Sequence, residues 1–309
     1  MHFARRSLAW LFLVALGAAG PTDAQQVADT LFVPKVSDPA HATGKGPVVL
    51  IDEAHHNFHT ATGRYLAFAR TLRQDGYVVQ SNAAPFTRAS LEKARILVIA
   101  NALAAANETQ WALPTPSAFD SSEIAAVRDW VRAGGSLLLI ADHMPFPGAA
   151  HDLAAAFGIE MGNGFAMKDA GKDGTMVFER AAGTLADHAI TRGRSSGERI
   201  DRVVAFTGQA FRLAGDGTPL MTLEKNVVLL LPDVAWQFTE STPSKSAAGM
   251  LQGAALVWQK GRVAVFGEAA MFSAQVTGPE RHPMGMNDPS APQNAQFLLN
   301  VMHWLEGLL

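Results

Sequence analysis

Pro47-Val48-Val49-Leu50-Ile51-Asp52-Glu53-Ala54-His55-His56-Asn57-Phe58-His59 is the stretch on which the fold reading turns. Four consecutive apolar residues, three of them β-branched, end abruptly in two carboxylates and a loop with three imidazoles. An unbroken apolar run of this length predicts a strand buried on both faces, as in parallel sheets covered by helices on each side. Downstream, Tyr65, Leu66, Phe68, Ala69 and Leu72 recur at helical spacing, Asp75-Gly76 stops that helix, and Tyr77-Val78-Val79 restarts a strand. The segment therefore reads as a βαβ unit.

The same rhythm recurs further along. Ile96-Leu97-Val98-Ile99-Ala100 predicts a second buried strand, and Asp120 or Ser121 with Glu123 predicts a capped helix with an apolar face of Ile124, Val127, Trp130 and Val131. Gly134-Gly135 ends that helix, and Leu137-Leu138-Leu139-Ile140 is the next strand, running into Asp142-His143. A helix is expected over Ala149 to Phe157, closed by Gly158. From about 160 to 255, short apolar runs punctuated by Gly, Asp and Thr predict a β-rich insertion or sheet extension. Arg262 to Gly267 restores a core strand ending at Glu268, and a last helix is expected from about Gln293 to Leu308. The expected class is α/β, a doubly wound and mostly parallel sheet of flavodoxin-like type carrying that insertion, with residues 25–309 as one domain.

Arg5-Arg6 followed by an apolar run from Leu8 to Ala19 and small residues near Ala24 has the three-part form of an export signal, so residues 1–24 are expected to be removed. The apolar run is too short to span a bilayer. Periplasmic or secreted localisation by the general secretory route follows, in preference to the twin-arginine route. There are no cysteines, which removes disulfides, a thiol nucleophile and thiolate-bound zinc. Charged residues make up 17 % of the chain and the net charge is -3, so nothing favours nucleic acid as a partner. A small molecule or carbohydrate is the expected ligand class, and no membrane span is expected in the mature chain.

Chemistry is expected where strands end, because open α/β sheets bind ligands outside the carboxyl ends of their parallel strands. Asp52, Glu53, His55, Asp142, His143 and Glu268 are the candidate catalytic residues. His55, His56, His59, Asp142 and His143 are the candidate ligands of a divalent metal such as zinc or manganese, which could activate water. The competing reading is structural, since carboxylates at strand ends commonly cap the next helix. Gly193-Arg194-Ser195-Ser196-Gly197 matches a nucleophile-elbow pattern, but polar residues flank it on both sides, so a turn is expected there.

Asp52-Glu53-Ala54-His55, Asp75-Gly76-Tyr77, Gly134-Gly135-Ser136-Leu137-Leu138-Leu139-Ile140-Ala141-Asp142, Gly267-Glu268 and the run from Asn294 to Trp304-Leu305 together resemble the class I glutamine amidotransferase-like superfamily. The nearest branch is the group known as DUF4350, beside ThuA-like, gliding-motility and intraflagellar-transport relatives. The resemblance implies an amidotransferase-like fold. It does not transfer the family's glutaminase chemistry, which needs a cysteine that this chain lacks. Two functional expectations follow. One is an exported hydrolase acting through activated water at the His/Asp/Glu cluster. The other is a non-catalytic periplasmic binding or cell-envelope scaffold protein for a carbohydrate or protein ligand.

Overall fold

A computed structural model describes residues 26–168 and 174–309. The expected export signal at 1–24 lies outside the described residues. The centre of the molecule is a nine-stranded sheet. Its strands in chain order are β1 (Val48–Asp52), β2 (Val78–Asn82), β3 (Ile96–Ala100), β4 (Ser136–Ile140), β5 (Ile159–Met161), β6 (Phe211–Leu213), β7 (Thr218–Thr222), β8 (Leu251–Trp258) and β9 (Gly261–Phe266). They lie side by side in the order β2-β1-β3-β4-β9-β8-β6-β5, with β7 also on β8.

The strands from β2 to β9 in that order run parallel. Beyond β9 every pairing is antiparallel. The sheet is therefore mixed, which corrects the expectation of a mostly parallel one. The cause is local. Only Gln259 and Lys260 separate β8 from β9, and a two-residue link can join only antiparallel strands. The region expected to be a β-rich insertion supplies the strands of this antiparallel half. It also forms a small sheet from Phe165–Lys168, Val227–Leu230 and Ser244–Ser246.

Alternate residues of the parallel strands feed two cores. Val49, Ile51, Val98, Ile140 and Phe266 meet Phe68 and Leu72 of α1 (Leu66–Gln74) on one face. On the other face, Leu50, Ile99, Leu139 and Val265 meet α2 (Ser121–Ala133) through Val127 and Val131, and α3 (Phe146–Ala155) through Leu153 and Ala154. The terminal helix α4 (Asn294–Glu306) lies beside α1 and buries Phe297, Leu298 and Val301 in the same core. Strands covered on both sides explain why the unbroken apolar runs were readable as strands. Gly193 to Gly197 runs into a short 3-10 turn, Ser196–Glu198, as its polar flanks implied. Among the described residues no helix is long and apolar enough to cross a membrane.

Candidate functional site

Four parallel strands deliver polar residues to one edge of the sheet, and strand order sorts them into two groups. β3, β4 and β9 are neighbours, so Asn101, Asp142 and Glu268 follow them in a row. β1 lies on the far side of β3, and its carboxylates engage different partners.

The first group is a closed clamp. Asp52 is fully buried and both its oxygens lie 2.9 Å from Nδ1 of His55. Nε2 of the same ring lies 2.9 Å from Oε1 of Glu123. Phe86 and Phe119 flank the imidazole, each with its ring centroid 4.7 Å away. Burial works to lower the basicity of His55, but the hydrogen bonds and charges of Asp52 and Glu123 outweigh it and raise the pKa above the ordinary histidine value. A ring with a carboxylate on each nitrogen donates from both, so it has no lone pair left for a metal. Glu123 owes its position to the capping box of α2, where Asp120 accepts from the Ser122 and Glu123 N–H groups and Glu123 reaches back to the Asp120 N–H.

Two other candidates are also committed elsewhere. Glu53 accepts from the Ala61 N–H at 2.8 Å and from the Ser81 hydroxyl at 2.9 Å. His56 is exposed and pairs with Glu108 at 3.1 Å. Among the described residues no three His, Asp or Glu side chains converge on one point that could hold a metal ion. The expected ligand set of His55, His56, His59, Asp142 and His143 is thus divided among three environments, and it does not fit a bound metal.

The second group surrounds a cavity of about 20 Å³, room for one water-sized polar group, lined by residues that include His59, Asn101, Asp142, His143, Thr207 and Gln275. Phe58, Phe146 and Trp236 contribute apolar wall, and Gln26 and Met284 complete the lining beside them. The hydrogen bonds define most of the proton positions. The Asp142 N–H donates to Oδ1 of Asn101 at 2.9 Å, which orients the Asn101 amide. Its NH₂ group must then donate to Nδ1 of His59, 3.1 Å away, leaving the ring hydrogen on Nε2. That Nε2–H is buried and has no partner among the described residues. Burial, reinforced by the charges of Arg64 and His143, pushes the His59 pKa down to about 3, so the ring is neutral at ordinary pH.

His143 has the opposite polarity. Its Nδ1 lies 2.8 Å from the Met144 carbonyl and must carry a hydrogen, so Nε2 is the nitrogen left to exchange a proton with a ligand or water. Phe165 stacks on the ring at 4.6 Å, and Trp236 meets it edge-on at the same distance.

The two carboxylates here are held by N–H donors. Asp142 Oδ1 accepts from the His143 N–H at 2.7 Å, and Oδ2 from the Ala269 N–H at 3.3 Å. Glu268 accepts from the N–H groups of Ala270 at 2.8 Å and Met271 at 2.7 Å. Burial, and then the negative charge of Asp142, raises the Glu268 pKa well above the ordinary carboxylate value. Burial together with the Glu268 and Asp142 charges likewise pushes the Tyr65 phenol up, and its OH donates to the Ala269 carbonyl at 3.1 Å.

Of the sequence candidates, His59, Asp142 and His143 therefore line the cavity, and Glu268 lies buried within the charge range of Asp142. Asn101, Thr207, Trp236 and Gln275 were missed. Asn101 had a signal, since it directly follows a buried strand. The others come from turns and β-segments whose sequence does not show where they pack.

No family model matches the chain, and no curated protein matches it. Solved structures do. The mmIFT52 N-terminal domain aligns with a TM-score of 0.59 at 13 % identity, over 84 % of this chain and 97 % of that one. A cytoplasmic protein from Salmonella typhimurium aligns at 0.49 and 14 % identity, over 84 % and 98 % of the two chains. A ThuA-like protein from Bacteroides uniformis aligns at 0.47 and 10 % identity, over 88 % and 94 %. At these identities the first likeness is one of fold alone.

Proposed function

We propose that this chain is a binding protein that captures a polar group of a small-molecule ligand, such as a carbohydrate, in the cavity beside His59. The observation that carries the reading is a pair of buried polar atoms without partners among the described residues: Nε2–H of His59, a donor, and Oε1 of Gln275, an acceptor. Leaving a buried donor or acceptor unsatisfied costs about 1–3 kcal/mol each, a cost that a ligand offering both an acceptor and a donor would relieve. The aromatic walls supply the apolar surface usual in such sites. The protein is exported to the periplasm or beyond after removal of residues 1–24, and it belongs to a cysteine-free, DUF4350-like branch of the amidotransferase-like superfamily. A thermal-shift screen of hexoses, primary amides and short peptides tests the binding reading. A compound that raises the melting temperature of the wild type, and does so less in His59→Phe, supports it. Equal stabilisation of the variant, or no active compound, defeats it.

The second reading is a hydrolase in which Nε2 of His143 takes a proton from water. The tautomer of His143 favours it, since Nδ1 is held by the Met144 carbonyl and the ring lines the same cavity as the neutral donor imidazole of His59. Ester, glycoside and peptide substrates should then be turned over, and His143→Gln should lower the rate by about 10²-fold or more. Turnover unaffected by that substitution rules this reading out.

A further inference from the structure

Two residues that line the cavity each keep a buried polar atom without a partner among the described residues, the donor Nε2–H of His59 and the acceptor Oε1 of Gln275. The Gln275 amide is oriented by its neighbour. The Ser273 hydroxyl donates to the Ala270 carbonyl at 2.8 Å, so it must accept from Nε2 of Gln275, also at 2.8 Å, which leaves Oε1 as the open end. The volume of about 20 Å³ admits one polar heavy atom. A single atom that satisfies both residues has to accept one hydrogen bond and donate another. A hydroxyl does so, with its one hydrogen and two lone pairs. A ketone oxygen only accepts, and an ammonium only donates. A carboxylate brings no hydrogen for Gln275 and would enter beside the Asp142 carboxyl, which lines the same cavity. A primary amide divides donor and acceptor between two atoms and needs more room.

Trp236 carries the second observation. It lines the cavity and is also 46 % exposed, so its side chain runs from the cavity wall to the surface. His143 and Phe165 hold the indole edge-on, with ring centroids 4.6 and 4.7 Å away. Its backbone φ of 66° is one that residues other than glycine rarely adopt. The chain is fixed on either side of it, by the Ala235 N–H donating to the Trp111 carbonyl at 2.8 Å and the Gln237 N–H donating to the Val234 carbonyl at 3.1 Å. Backbone strain of this kind persists only where the surrounding structure imposes it, and it collects at ligand sites. Here it presents a large apolar surface to solvent beside a space for one polar atom, the division of labour usual in small-molecule sites.

We infer that the group entering the cavity is an alcohol hydroxyl of an uncharged ligand, its oxygen accepting from the His59 Nε2–H, its hydrogen passing to Oε1 of Gln275, and its carbon skeleton lying against the exposed part of Trp236. The inference rests on the cavity being a binding site, and it adds which polar group is captured and what supports the rest of the molecule.

Cyclohexanol, cyclohexanone and cyclohexylamine share one ring and differ in the polar group, so they form the test. Each is titrated into the mature protein, with binding followed through the imidazole resonances of His59 and the indole N–H resonance of Trp236. Cyclohexanol should bind about tenfold more tightly than cyclohexanone, because the ketone leaves the Gln275 acceptor unpaired. It should also exceed cyclohexylamine, which is charged at neutral pH and has no lone pair for the His59 donor. Gln275→Leu should bring cyclohexanol down to the level of cyclohexanone, and Trp236→Ala should weaken both by the same factor. Cyclohexanone or cyclohexylamine binding the wild type as tightly as cyclohexanol overturns the inference while leaving the cavity reading standing, and that comparison needs no variant. A preference for the alcohol that survives Gln275→Leu overturns it too, as does cyclohexanol binding that is unchanged in Trp236→Ala. Failure of all three probes to shift His59 removes the cavity reading and this inference with it.

Discussion

His55 and His59 stand four positions apart in one loop and reach opposite chemical states. His55 has a carboxylate on each nitrogen, and its pKa is raised. His59 has an amide on one nitrogen and, among the described residues, no partner on the other, and its pKa falls to about 3. The local sequence supplies only Asp52 on one side of His55; the partners Glu123 and Asn101, which complete the two settings, come from distant elements. The His55→Gln variant leaves Asp52 and Glu123 buried without their shared cation. Breaking a buried pair of this kind costs about 3 kcal/mol or more, to be read as the loss of unfolding free energy in urea at pH 6. The linkage gives that cost a direction. A histidine whose folded pKa lies above its unfolded value stabilises fully below the unfolded value and loses that contribution as pH rises through the folded one. The penalty of His55→Gln should therefore shrink as the pH is taken upward from neutral. A penalty that grows with pH would contradict the clamp.

At the scale of elements, the N-terminus of α2 does two jobs through one residue. Asp120 only caps, accepting from Ser122 and Glu123. Glu123 completes the capping box, accepts the Phe86 N–H at 2.9 Å and holds His55. Asp120→Ala should show only the modest loss of stability that goes with a lost helix cap. Glu123→Ala should cost at least about twice as much, since it also strands a buried imidazole and a backbone N–H. Equal midpoint shifts for the two variants in chemical denaturation would show that the link to His55 contributes nothing. The capping box was readable from Asp120 and Glu123 in sequence, and so was the helix it starts. That Glu123 also reaches the loop after β1 was not readable, because that contact spans 68 positions of the chain.

Across the whole molecule, pH stability records the two histidines together. His59 binds a proton in the unfolded chain near its ordinary value but resists one in the folded chain down to about 3. Folding therefore loses stability as pH falls from about 6.5, at up to about 1.4 kcal/mol per pH unit for this one group. His59→Phe removes that term, so the unfolding free energy of the variant should fall less steeply than that of the wild type between pH 6 and 4. Parallel acid limbs for the two proteins would place His59 in a solvated setting. The fold carries the cavity on three adjacent strands, β3, β4 and β9, and covers it with Trp236 and Gln275, which belong to segments far along the chain.

The apolar runs alone determined the buried strands, the helices between them and the polar edge where Asp52, Asp142 and Glu268 emerge, because strand periodicity and helix caps are local properties. The absence of cysteine from the sequence also excluded thiol chemistry outright. Only the tertiary structure decided the rest. The two-residue link between β8 and β9 turned half of the sheet antiparallel. The placement of β1 outside β3 sent Asp52 and His55 into a clamp, and kept Asp142 and Glu268 with His59 and His143. Whether an imidazole is a saturated cation or an open donor depends on which groups the folded chain brings to its nitrogens, and the deciding ones, Glu123 for His55 and Asn101 for His59, lie tens of residues away.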